Sequence, residues 1–382
     1  MPVKAVPFIA GRLRFKGRLA TVAISVSFFV MILSLAISGG FRKEIRGGIS
    51  DIAGDIQVSG SSEPIDAYPS YYEKLTSLAG ISSATPVIWK PGIVKGEDDI
   101  CGVMVKGVPM PDSCSLQASI PREFAKRMKL EEGDAMTTWF VDEKVKARRF
   151  TVTEIKDGII DAEGAMIVKV PLADMQRLCG WGPEEASALE INVTPAFKDG
   201  FLLKSKADEL SWTSFQEHGE EEDILHAETA RERYSQLFDW LDLIDFNVLV
   251  IILLMTVVAG FNMISGLLIL LFRHISTIGM LKSMGMGNRA IAKVFLQVAA
   301  RIVLIGTLIG NAAALLFCWL QDSTHLIKLN PVNYFVSYVP VNINWGLLLT
   351  VDVLAFAAIM LLLLIPTLFI SKVDPAETVR VK

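Results

Sequence analysis

Residues 273–301 read RHISTIGMLKSMGMGNRAIAKVFLQVAAR, with five Lys or Arg, no Asp or Glu, and a long apolar run on either side. Ile275, Ile278, Met280 (or Leu281) and Met284 recur at helical spacing, which predicts one short amphipathic helix. Gly285 and Gly287 then break it before a second helical start at Asn288. A short helix with cations around an apolar stripe suits docking into a groove on a soluble partner. A plain connector whose cations only satisfy the positive-inside rule is the other reading.

The flanking runs make this a membrane protein. Ala20 to Phe41 and Phe246 to Phe272 carry no charge, and neither does Ile302 to Gln321. Trp345 to Ile370 is interrupted only by Asp352. Each is at or above the ~20 residues that cross a hydrocarbon core of about 30 Å, and none shows the polar face of a soluble helix. Four spans are expected.

Charge orients them. Residues 1–19 carry Lys4, Arg12, Arg14, Lys16 and Arg18 without an acid, and the 273–301 loop is also acid-free. The segment 42–245 holds 37 Asp and Glu against 23 Lys and Arg, a net of −14 in a chain whose total is only −4. The basic end and loop therefore lie in the cytoplasm and the acidic segment is exported, with both termini inside. Ala36-Ile37-Ser38 resembles a signal cleavage site, but the first run is longer than a usual signal core and is read as a retained anchor.

The expected organisation is a cytoplasmic N-terminus (1–19), span one (20–41), an exported α+β domain with a helical stalk (42–245) and span two (246–272). A coupling helix and loop (273–290), span three (291–321), a short exported loop (322–344), span four (345–370) and a cytoplasmic C-terminus (371–382) follow. The exported segment, about 200 residues, is long enough for two subdomains. Strand-like alternation appears at 54–59, 84–89, 103–108, 149–155, 165–170 and 190–193. Helices are expected at 121–130, with Pro121 in the first turn, at 172–178 and at 201–210. Leu130-Glu131-Glu132-Gly133-Asp134 reads as a turn. Glu220-Glu221-Glu222-Asp223 is most simply a solvated loop; even with His218 and His226 nearby it lacks metal-ligand spacing, and no metal site is expected. From Glu228, the stripe Arg231, Tyr234, Leu237, Phe238, Leu241 and Ile244 predicts a helix running unbroken into span two.

Several fragments, in order along the chain, resemble one family. They are Phe8-Ile9-Ala10-Gly11-Arg12 before span one, Ser38-Gly39-Gly40-Phe41 at its exit, and Phe261-Asn262-Met263-Ile264-Ser265 in span two. Ile278-Gly279-Met280-Leu281-Lys282-Ser283-Met284-Gly285 is similar to an "I-x-x-L-K/R-x-x-G" coupling segment. Tyr338-Val339-Pro340-Val341 precedes span four, and Val373-Asp374-Pro375-Ala376-Glu377-Thr378-Val379-Arg380 lies at the end. With the Leu130–Asp134 element, the set resembles ABC-transporter permeases of the FtsX/MacB superfamily, and within it the lipoprotein-releasing LolC/LolE permeases.

That resemblance implies a polytopic α-helical protein with four transmembrane helices and a two-subdomain, MacB-like periplasmic domain between helices one and two, in the bacterial inner membrane. It implies a mechanotransmission role: two permease chains pair, as a homo- or heterodimer, and each coupling helix sits in a groove of a separate cytoplasmic ABC ATPase that binds ATP and Mg. Lipoprotein cargo leaves the outer leaflet for a periplasmic carrier. By position, Arg273, Ile278, Leu281, Lys282 and Gly285 are implied to carry the ATPase contact, Ile278 and Leu281 as apolar anchors. Asn262 and Ser265 face a lipid cavity or a partner helix, and packing is the expectation for small polar residues in spans. Phe28, Phe29 and Met31 either line an acyl-chain cavity or face bulk lipid.

The chain itself has no G-x-x-x-x-G-K-[ST] phosphate loop and no catalytic arrangement of Ser/His/Asp, Cys/His or paired carboxylates, so it is read as non-catalytic and without its own cofactor. No nucleic-acid partner is expected. Asp352 is placed near the exported interface, hydrated there. Where carrier-recruiting relatives project a proline-bearing hook, this chain has only Val141-Asp142-Glu143-Lys144-Val145-Lys146, which puts carrier docking through that element in doubt. A Cys101–Cys114 disulfide is compatible with export but not required by the odd number of exported cysteines. Other outputs of the same mechanics, namely regulation of cell-division wall hydrolases or drug and peptide export, stay open, as does a non-transport membrane adaptor.

Overall fold

The computed structural model describes residues 18–96, 99–141, 145–156, 166–198, 200–219, 224–330, 334 and 336–367. The Phe8–Arg12 and Val373–Arg380 motifs and the Glu220–Asp223 run lie outside that set. The described chain forms two compact units. One holds the start of the first helix, Leu241–Lys328 and the segment from Val339, and the other holds Lys43–Trp240 and Leu329–Tyr338.

Helix α1 (Arg18–Ala53) has no charge from Leu19 to Phe41, and it continues for a further three turns beyond that run. The larger unit follows with β1 (Ile56–Ser59), the short β2 (Ile65–Asp66), α2 (Tyr72–Ser77), β3 (Ile81–Lys95), β4 (Ile100–Val108) and β5 (Gln117–Pro121). Next come α3 (Arg122–Met128), β6 (Ala135–Val141), β7 (Val145–Lys156), β8 (Met166–Pro171), α4 (Leu172–Cys179), the short β9 (Glu185–Ala186), β10 (Ala188–Val193), α5 (Gly200–Glu217) and β11 (His226–Thr229).

Nine strands run in the order β11-β1-β10-β3-β4-β8-β5-β7-β6, and β6 returns to pair with β3. The 15-residue β3 belongs to two layers. Its first half, Ile81 to Val87, pairs with β10, and its second half, Ile88 to Lys95, pairs with β4 and also, at Ile93 and Val94, with β6. The result is a four-stranded antiparallel sheet joined through one shared strand to a closed six-stranded barrel. β4–β8 and β5–β7 are parallel pairs within the barrel. Each half has its own core. Under the open sheet lie Ile56, Leu75, Leu189 and Leu210, the last from α5, and the barrel is filled by Val105, Phe124, Phe150, Val168 and Met175. Two cores in one exported-sized segment bear out the two-subdomain α+β reading.

Local chemistry sets the helix ends. Pro121 stands just before α3 rather than inside its first turn, with Glu123 in the first turn and Lys126 and Arg127 in the last, complementing the helix dipole. The predicted turn is present: Asp134 accepts from the Glu131 N–H at 2.8 Å and returns its own N–H to the Glu131 carbonyl.

One expectation is corrected here. The helix foreseen from Glu228 does not start there: Glu228 and Thr229 close strand β11. Thr229 and Glu232 then form a reciprocal capping box that starts a short α6 (Ala230–Arg233), and the chain breaks again at Tyr234. The Thr-x-x-Glu spacing carries that signal in the sequence.

The membrane unit comprises the start of α1, most of α7 (Ser235–Arg273), α8 (Ile275–Ser283), α9 (Asn288–Thr324), α10 (Trp345–Leu362) and the short α11 (Leu364–Thr367). Four helical stretches, Arg18–Ser50, Ser235–Arg273, Asn288–Thr324 and Trp345–Thr367, are long and apolar enough to cross a membrane. α7 alone has 39 residues, about 58 Å at ~1.5 Å per residue. α1 crosses α9 at Gly306 and Gly310, a small-x-x-x-small pair. A Cβ on Gly306 would lie 2.6 Å from Ile24, and one on Gly310 2.5 Å from the Ser25 carbonyl oxygen. With lipid outside and no hydrophobic gain from helix pairing, such close backbone approach is what holds spans together. α7 and α10 meet in the same way at Gly260, under Leu362.

Candidate functional site

The loop quoted at the outset folds as its spacing predicts: α8, a break, and α9 from Asn288. Met286 donates its N–H to the Leu281 carbonyl and Gly285 donates to the Lys282 carbonyl, both at 2.9 Å, with Gly285 at φ +85°. This is a Schellman stop: the left-handed residue must lack a Cβ to be unstrained, and Met286 folds back beside Leu281. Both of those side chains pack on the membrane core.

The stop also fixes which side of α8 faces out. Ile278 is 1% exposed and lies in the cluster with Ile291, Val294 and Phe295 of α9. It is therefore not an anchor offered to a partner, and Leu281, half-buried against the same cluster, is turned the same way. The two residues three apart attach α8 to the spans. The residues on the opposite face are exposed instead: Met280 at 59% and Met284 at 65%, with Arg273 and Ser276 beside them in the sequence of exposed positions. The sequence pattern alone does not tell the buried face of α8 from the exposed one, because both carry apolar residues at helical spacing. Lys282 is half-buried.

The span residues also sort by exposure. Phe28 and Met31 are fully buried among the helices of this one chain: Phe28 sits against Gly310, and Met31 sulfur takes the Thr256 hydroxyl at 3.5 Å. Neither faces bulk lipid or an open acyl-chain cavity. Phe29 is half-buried, edge-on to Phe317 at 6.3 Å. Asn262 and Ser265 are exposed on the outer face of α7, together with Phe261.

Two motifs widely separated in sequence meet at the end of span one. A Cβ on Gly40 would collide with the Pro340 carbonyl, and Asn342 donates its N–H to the Ala36 carbonyl at 2.9 Å. Ser38 hydrogen-bonds Asp245 of α7, and Arg42 pairs with Asp245 and, at 3.7 Å, with Asp242. Small residues at 38–40 thus let the 339–342 segment lie directly on α1 while α7 is tied on by charge. Sequence reasoning recorded both motifs without joining them.

Asp352 is corrected as well: its carboxylate takes an N–H from Asn311 of α9 at 2.6 Å rather than standing in water. None of Cys101, Cys114, Cys179 and Cys318 is in a disulfide, so no Cys101–Cys114 bridge forms. At the hook position Val141 pairs directly with Val145 across β6 and β7. The three connecting residues are not among those described.

Residues 249–375, from within α7 to the chain's last residues, match the FtsX-like permease C-terminal family. The LolC lipoprotein-releasing system transmembrane protein of Neisseria meningitidis is 21% identical over 95% of this chain and 92% of its own. LolE of Haemophilus influenzae is 21% identical over 94% of this chain and 93% of its own. The chain thus carries an FtsX-like permease region and is similar to LolC and LolE over nearly its whole length. Among solved structures, the periplasmic region of MacB from Actinobacillus actinomycetemcomitans covers 52% of this chain at 12% identity and a TM-score of 0.33, with 97% of that structure covered. The extracellular domain of the ABC-type transporter YknZ from Gram-positive bacteria covers 46% at 11% identity, with 99% of that structure covered and a TM-score of 0.32. The FtsX-like match contains α8, the Gly285 stop, Gly306, Gly310 and Asp352, while the α1 side of each span contact lies outside it.

Proposed function

We propose that this chain is the non-catalytic permease subunit of an ABC transporter that releases lipoproteins from the outer leaflet of a bacterial inner membrane. A separate cytoplasmic ATPase, holding ATP and Mg, supplies the energy. The near full-length similarity to LolC and LolE, joined to the FtsX-like match, carries this reading. The charge asymmetry supports a cytoplasmic α8 and a periplasmic large domain.

In this reading Met280 and Met284 enter the groove of the ATPase, Arg273 and Lys282 flank them, and Gly285 turns the chain back. Ile278 and Leu281 do not touch the ATPase; they weld α8 to the spans so that its displacement is passed on. The exposed Asn262 and Ser265 face meets the second permease chain, the packing role being the commoner one for such residues. A second reading keeps the mechanics and changes the receiver of the cargo. It is favoured by the three-residue β6–β7 connection, which leaves no room for a projecting carrier hook.

The test is release from proteoliposomes containing this chain and its candidate ATPase. ATP-dependent appearance of acylated lipoprotein in the soluble fraction with added carrier is the expected result. Stimulated ATP hydrolysis without release would retire the lipoprotein assignment and keep the permease mechanics.

A further inference from the structure

Between their flanking charges the four apolar runs hold a single residue from the set Asp, Glu, Lys, Arg and His, and it is Asp352. Span one is free of such groups from Leu19 to Phe41, span two from Phe246 to Phe272, and span three from Ile302 to Gln321. No cation on any neighbouring span is therefore placed to neutralise a carboxylate at this depth, where an unpaired charge costs several kcal/mol.

Asp352 is turned toward span three. The Asn311 side-chain amide, one residue beyond Gly310, donates to Asp352 Oδ2 at 2.6 Å. The remaining oxygens, Asn311 Oδ1 and Asp352 Oδ1, are both buried and both lack a hydrogen-bond partner. Both are acceptors. An ionised carboxylate has no hydrogen to offer, so as an anion Asp352 leaves both orphaned. Each buried acceptor without a donor costs ~1–3 kcal/mol.

One proton removes the whole deficit. A carboxylic acid and a primary amide are complementary: the amide N–H donates to one acid oxygen while the acid O–H donates to the amide carbonyl. We propose that Asp352 holds a proton and forms a reciprocal acid–amide pair with Asn311, a proton-binding site that clasps span three to span four. The ligand is the proton itself, taken up from solvent, and no other co-reactant is needed. The assignment does not depend on what the permease transports.

The experiment is infrared difference spectroscopy on the full chain in lipid nanodiscs, wild type against Asp352→Asn, across the neutral pH range, with thermal stability measured in parallel. The expected spectrum contains a protonated-carboxyl C=O band in the wild type that is absent from D352N, with no matching carboxylate band. An amide–amide pair closes the same ring, so D352N keeps the wild-type melting temperature, whereas Asp352→Leu and Asn311→Leu lower it. In Asn311→Leu the acid band moves to the position of a carboxyl without a partner. A carboxylate band assigned to Asp352 at neutral pH would overturn the proposal. Failure of D352N to fold, or a loss as large as in D352L, would overturn it too.

Discussion

The Lys106 ammonium lies 2.5 Å from Glu190 Oε2 across the large domain, with the two side chains only 4% and 8% exposed. The same ammonium also bonds the Ile52 carbonyl, one of the last in α1. A cation at a helix C-terminus suits both the dipole and the unmet carbonyls there. One buried side chain on β4 thus ties the end of α1 to strand β10. Removing only the cation strands Glu190, so Lys106→Met should cost about 3–5 kcal/mol of unfolding free energy. Lys106→Met with Glu190→Met should return most of that. Denaturant unfolding of the full chain in detergent measures both, and a single-variant loss below ~1 kcal/mol would contradict the arrangement.

The same pair sets a pH signature. Burial first, opposed by their mutual attraction, pushes the Glu190 carboxyl above its ordinary 4.5 and the Lys106 ammonium below its ordinary 10.5. Glu190 binds its proton more readily folded than unfolded. Its contribution to stability therefore falls as pH rises from 4.5 to the raised value. Glu190→Gln should flatten the stability profile in that window, read as melting temperature against pH.

Gly40 and Gly47 both lie in α1 and predict opposite outcomes. Gly40 has the Pro340 carbonyl where a Cβ would go, while Gly47 has nothing within 4 Å. Gly40→Ala should destabilise by about 1–3 kcal/mol through overpacking. Gly47→Ala should be neutral or gain up to ~1 kcal/mol from helix propensity. Thermal melts of the two variants side by side decide it.

Under the proposed function, the two faces of α8 separate docking from packing. Met284→Arg should leave the melting temperature unchanged and abolish co-purification with the ATPase. Ile278→Ala should cost about 2–5 kcal/mol of stability as a buried truncation. Co-purification of Met284→Arg at wild-type yield would refute the outward stripe.

The Thr229 cap offers a smaller effect. Thr229→Ala loses the hydroxyl that accepts from the Glu232 N–H at 3.2 Å, and should cost ~0.5–2 kcal/mol.

Much of this was readable from residues alone where one periodicity dominates. The four long apolar runs, the Gly285 break and the Asn288 restart needed no tertiary information, because each rests on local chemistry. The inward face of α8 was not readable: Ile278 and Met284 have similar polarity, and only the packing of α9 chooses between them. The join between Ser38–Phe41 and Tyr338–Val341 was hidden for a related reason. Neither glycines nor prolines announce which backbone, hundreds of residues away, will lie against them. The barrel was equally silent, since a strand that serves two sheets reads in sequence as one long alternation.

That shared strand leaves neither end of the nine-stranded array as a long bare edge strand. At one end β6 closes back on β3, pairing at Trp139 and Thr138, so it does not stand as a free edge strand. At the other end of the strand order the array finishes in β11, four residues long. Long bare edges template pairing between molecules. The two ends of the array therefore offer neighbouring molecules little to zip onto. Crosslinked aggregates, when they form, should trace to the helices rather than to strand exchange.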